Sequence, residues 1–131
     1  MGQIKCLVIG LLGLFSIQVF AGDVEILSAN FSQNSNQAWS IDVTLLHGDT
    51  GWDHYADAWR VVDEKKMILG TRTLYHPHVG EQPFTRSHSV KIPAIMTTVY
   101  IEAHDKVHGW SPQRLEIDLS QVKNGQLRVD R

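Results

Sequence analysis

The sequence predicts an antiparallel β-sandwich of about seven strands, and three observations carry that expectation. Apolar and polar residues alternate with period two along several short runs, as on strands buried on one face only. Beyond the leader, no stretch carries the 3.6-residue apolar stripe of an amphipathic helix. Turn-forming residues, four prolines among them, divide the runs at short intervals. Within one small domain this spacing indicates an immunoglobulin-like or fibronectin type III-like sandwich.

Residues 1–21 read as a cleaved signal peptide. Lys5 gives a weakly basic start, Cys6–Phe20 is almost unbroken apolar sequence, and Val19-Phe20-Ala21 supplies small residues at −3 and −1. The apolar run is too short for a membrane span, so no membrane insertion is expected after cleavage. The expected product is periplasmic or secreted and begins at Gly22. Lys5 and Cys6 leave with the leader, so 11 basic residues face 14 acidic ones and no cysteine remains. A net negative chain without a basic run argues against nucleic-acid partners. Without a disulfide, stability rests on the apolar core or on a bound ligand.

Residues 22–120 form the expected sandwich domain. Trp39, Ile41, Val43 and Leu45 alternate with Ser40, Asp42 and Thr44 in the clearest half-buried strand. Val99, Ile101 and Ala103, and then Leu115, Ile117 and Leu119, repeat the pattern. Val24–Phe31, Ala56–Asp63, Met67–Tyr75 and Phe84–Ile92 supply weaker versions. Residues 121–131 are a polar tail, or an extra hairpin strand entered through Asn124-Gly125.

With strands running up and down, the connections after strands two, four and six fall at one end. These are His47–Tyr55, His76–Pro83 and His104–Pro112, and they hold six of the seven histidines. Connecting loops on a rigid scaffold are where function concentrates. His76-Pro77-His78 and His104–His108 each offer two imidazoles, and His54 lies in Gly51–Asp57 beside two carboxylates. Imidazole is the commonest metal ligand, so His54, His76, His78, His104 and His108 are the candidate ligands. His47, Asp53 and Asp105 are expected to support them or to substitute for one; His47 shares the inward parity of Leu45. Imidazoles with a carboxylate and no thiolate suit Zn or Cu. The blander reading is a set of solvated loop histidines, with His47 hydrogen-bonded at the edge of the core.

Aromatic residues offer an alternative. Trp52, Tyr55 and Trp110 fall at the same end and suit a carbohydrate- or protein-binding face, which would need no metal. Tryptophan also fills the core of such sandwiches, the expected place of Trp39 and Trp59. No cysteine nucleophile and no Gly-x-Ser-x-Gly elbow is present, so a binding protein is expected rather than an enzyme.

The segments GWDHYADAW, LYHPH, EQPFTRS and EAHDKVHGW lie between Gly51 and Trp110. As a set they resemble small exported bacterial β-sandwich proteins that share these blocks at similar spacing. No activity is attached to those proteins, so the resemblance implies export and fold and carries over no ligand residue.

Overall fold

The computed structural model describes residues 22–131; the signal-peptide reading lies outside the described residues. Nine strands follow in order: β1 Glu25–Ser35, β2 Ala38–Leu46, β3 Ala56–Val62, β4 Ile68–Thr73, β5 Phe84–Lys91, β6 Thr98–Asp105, β7 Gly109–Trp110, β8 Leu115–Asp118 and β9 Gln126–Asp130. One sheet has the order β5-β2-β1-β9; the other runs β4-β3-β6, with β7 and β8 both paired to β6. Every pairing is antiparallel.

Period-two patterning drives the packing. Phe31 on β1 and Trp39, Ile41, Val43 and Leu45 on β2 are buried. So are Trp59 and Val61 on β3, Val99, Ile101 and Ala103 on β6, and Ile117 on β8. Burial of apolar surface at roughly 25 cal/mol per Å2 makes this interlayer the main stabilising term. The inward rows do not stop with the apolar residues. His47 continues the row of β2 and is 1% exposed; Asp105 ends the row of β6 and is fully buried. Each sheet therefore delivers one polar side chain to the same end of the core.

Two short elements depart from the seven-strand expectation. Gly109-Trp110, inside the expected connection His104–Pro112, pairs with His104 and Asp105 as strand β7. Asn124-Gly125 forms a turn, with both residues at positive φ. Strand β9 behind it pairs with β1 of the opposite sheet, because the short 3-10 turn Leu119–Gln121 carries the chain across.

Candidate metal centre

The three histidine-bearing connections do meet at one end. The backbone N–H of His78 donates to Asp49 Oδ2 at 2.8 Å, linking the β4–β5 connection to the β2–β3 loop. His54 Nε2 lies 3.2 Å from Asp105 Oδ1, linking that loop to β6. The chain also enters β1 here, with the carbonyl of Gly22 2.8 Å from His47 Nε2.

His47 and Asp105 form the centre. His47 Nδ1 hydrogen-bonds to Asp49 Oδ1, and its Nε2 faces both the Gly22 carbonyl and Asp105 Oδ2, the latter at 3.7 Å. Both bonded partners are acceptors, so both ring nitrogens donate and the ring is an imidazolium. Burial opposes that charge, but the Asp49 carboxylate, the Gly22 carbonyl and Asp105 together outweigh it and raise the pKa above the usual histidine value. Burial likewise opposes ionisation of Asp49, and bonds from His47 and from the backbone N–H groups of His78 and Ala56 overcome it. Asp105 Oδ1 accepts from Val107 N at 2.8 Å and from His108 N at 2.7 Å, closing the β6–β7 turn. Against its burial, those bonds and the His108 ring hold its carboxyl below the ordinary range.

His54 completes the group. Its Nε2 is buried and makes no hydrogen bond despite lying 3.2 Å from Asp105. One donor atom each from His47, His54 and Asp105 lies within 4.8 Å of the others. Ligands about 2.0–2.2 Å from a tetrahedral ion stand roughly 3.3–3.6 Å apart; the imidazoles lie 3.2 Å (His54, from Oδ1) and 3.7 Å (His47, from Oδ2) from different oxygens of the Asp105 carboxylate. A second group, Asp23, Asp105 and His108, shares Asp105 and lies towards solvent; His108 Nδ1 is 3.1 Å from Asp105 Oδ2.

The other expected ligands stand apart from these groups. His104 Nδ1 is 2.5 Å from Asp57 Oδ1 and its ring meets Trp110 edge-on, on the outer face of its sheet. His78 is stacked on Phe84 at 4.0 Å, and its Nε2 accepts from Arg86 Nη2 at 2.7 Å. Burial, then the Arg86 charge, lowers its pKa. His76 is exposed against the His78 ring, and Asp53 is exposed. The aromatics do not share one face. Tyr55 is buried beneath the edge of Trp52, which is 63% exposed, while Arg60 covers Trp110 with its guanidinium 3.6 Å from the ring centre.

Sequence reasoning gave His47 and Asp105 only a supporting or substitute role and missed Asp23 and the hub role of Asp49. The unbroken inward parity from Ile41 to Asp49 was the available signal for both His47 and Asp49. Nothing local in the sequence marks Asp23, which the β1–β2 pairing brings to this end.

Over 96 residues, or 73% of its length, the chain is 34% identical to a protein of Halomicrobium mukohataei described as "Putative lipoprotein". The chain spans 47% of that protein. No family model and no solved structure matches the chain.

Proposed function

We propose that this chain is a small exported binding domain that holds one Zn or Cu ion between its two sheets, through His47, His54 and Asp105. The observation that carries the reading is the buried, unpaired Nε2 of His54, set beside an ionised Asp105 and a second imidazole. A buried polar atom without a partner costs roughly 1–3 kcal/mol, and an ion removes that cost. His108 is placed to add a fourth donor from the solvent side. Two or three imidazoles with one carboxylate and no thiolate suit Zn2+ or Cu2+ better than Ca2+ or Mg2+. Export is supported by the leader pattern and by the lipoprotein description of the relative.

Binding requires His47 Nε2 to surrender its proton and to leave the Gly22 carbonyl. The test is elemental analysis of untagged protein exported and purified without chelating resin, followed by metal titration of variants. His54→Ala should weaken binding by at least about 100-fold, beyond the 10–100-fold typical of supporting residues. His104→Ala should leave it unchanged. Equal effects from the two variants, or no stoichiometric binding of Zn2+ or Cu2+, would overturn the proposal.

A further inference from the structure

The open edge of the sandwich between β4 and β5 carries a second, independent feature. An ideal Cβ on Gly70 would lie 2.9 Å from Val90 Cγ2, so β4 and β5 approach each other closely at that level. Two residues towards the histidine end, β4 carries Arg72 and β5 carries His88; two further along, β5 carries Arg86. All three face inward by register: Arg72 is paired with the buried Trp59, His88 with Ile41 and Arg86 with Val43. Trp59 lies between the edges, its ring 6.2 Å from that of His88 and perpendicular to it.

The inward polar side chains of this edge are mostly donors and face no carboxylate, although Arg86 Nη1 donates to the carbonyl of Thr85 at 2.7 Å and its Nη2 to His78. Among the described residues, the arginines in ion pairs are Arg60, Arg114, Arg128 and Arg131; Arg72 and Arg86 have none. Three buried nitrogens on this side lack a hydrogen-bond partner: Arg72 Nε, Trp59 Nε1 and His78 Nδ1. Arg86 can only donate, so His78 Nε2 accepts from it and the proton of that ring sits on the unpaired Nδ1. The carboxylates nearest in the fold are directed elsewhere. Asp42 takes the hydroxyl of Ser87 on the outer face, Asp49 serves His47, Ala56 and His78, and Glu81 is exposed in the loop. Half-buried guanidinium groups with no counter-charge carry an unrecovered desolvation cost, and an oxyanion supplies the missing acceptors.

We propose that the open β4–β5 edge binds a small oxyanion, with Arg72 and Arg86 supplying charge and planar donors and with Trp59 and His88 lying between them. Arg86 is offset from Arg72 by about 6.6–6.8 Å along the strands and lies on the facing sheet about 10 Å away, and two arginine side chains extended towards each other bridge that span around one sulfate, phosphate or carboxylate group. The site does not depend on the metal centre and shares no ligand with it.

The experiment is titration of the 15N-labelled full chain with sodium sulfate, inorganic phosphate or acetate at constant ionic strength, made up with chloride. The Trp59 indole N–H and Arg72 Nε–H resonances should shift and saturate with at least one of the three. The preferred anion separates a tetrahedral ligand from a carboxylate. Arg72→Gln and Arg86→Gln should each weaken the binding at least 10-fold, and Arg128→Gln should leave it unchanged. Arg72→Lys keeps the charge and loses the planar fork, so it should bind more weakly than the parent while retaining the parent's spectral dispersion; it replaces Arg72→Gln if that variant does not fold. Shifts that grow linearly without saturating, or an equal response in the Arg72, Arg86 and Arg128 variants, would overturn the proposal.

Discussion

Replacing Asp49 by Asn is the most informative perturbation of the buried cluster. Asp49 is 7% exposed and accepts three hydrogen bonds: His47 Nδ1 and Ala56 N on Oδ1, His78 N on Oδ2. An Asn amide keeps one oxygen and turns an NH2 towards the remaining donor. Leaving a buried N–H facing another donor costs about 1–3 kcal/mol, and losing the charge-assisted bond to His47 costs a further ~1.5–3 kcal/mol. The total of about 2.5–6 kcal/mol brackets the ~3–5 kcal/mol cost of removing one partner from a buried ion pair. It corresponds to a fall in Tm of roughly 10–20 °C for a domain of this size. The pH dependence carries the sign. His47 has a raised pKa, so its contribution is complete below about 6.5 and disappears as pH rises through the higher folded value. Asp49 has a lowered pKa, so its contribution is present above about 3.9 and disappears as pH falls through the lower folded value. Urea denaturation of metal-free protein should therefore show its largest difference between parent and Asp49→Asn near pH 5–6, and a smaller one near pH 9. A destabilisation below about 1 kcal/mol at pH 6, or one independent of pH, would refute the buried imidazolium–carboxylate reasoning.

Gly70→Ala should destabilise by about 1–3 kcal/mol, because the new methyl would sit 2.9 Å from Val90 Cγ2 within the packed β4–β5 edge; urea titration measures it. Gly125→Ala should cost about 1–2 kcal/mol at φ +73°, and hydrogen exchange should show faster amide exchange in β9 and in the β1 amides paired with it. Metal affinity should rise with pH through neutrality and beyond pH 7, since His47 gives up its proton only above the usual imidazole range; calorimetry in buffers of different ionisation enthalpy counts the proton released.

The layer structure was legible because a period-two row of apolar residues has one solution when a single face is buried. Trp39–Leu45 and Val99–Ala103 lie in β2 and β6, both central to their sheets. Strand β7 was not legible: two residues carry no periodicity, and only the Asp105 side chain closing the turn onto Val107 and His108 creates the pairing with β6. The partner of β9 was equally hidden, since Asn124-Gly125 sets the turn and the crossing at Leu119–Gln121 sets the sheet. The gathering of histidines at one end followed from strand parity, whereas the grouping within that end depended on side-chain direction. His104 and Asp105 are sequence neighbours on β6 and point to opposite faces. The first meets Asp57 on the outer surface, and the second meets His47 and His54 inside.

That parity also explains why His47 serves the cluster in two ways. As an imidazolium it is tied to Asp49 on one side and to the Gly22 carbonyl on the other, which holds the segment leading into β1 against the mouth of the core. In the proposed metal-bound state it would keep the Asp49 bond, which would orient the ring and make Nε2 the better donor, as second partners of ligating histidines do. Only the Nε2 contact would have to change, so the proposed ion would compete with one proton and one carbonyl and not with the fold. Removal of Asp49 therefore acts on both states, destabilising the metal-free domain and weakening binding by about 10–100-fold. Removal of His54, whose Nε2 lacks a hydrogen bond in the metal-free domain, should weaken binding without breaking the His47–Asp49 bond.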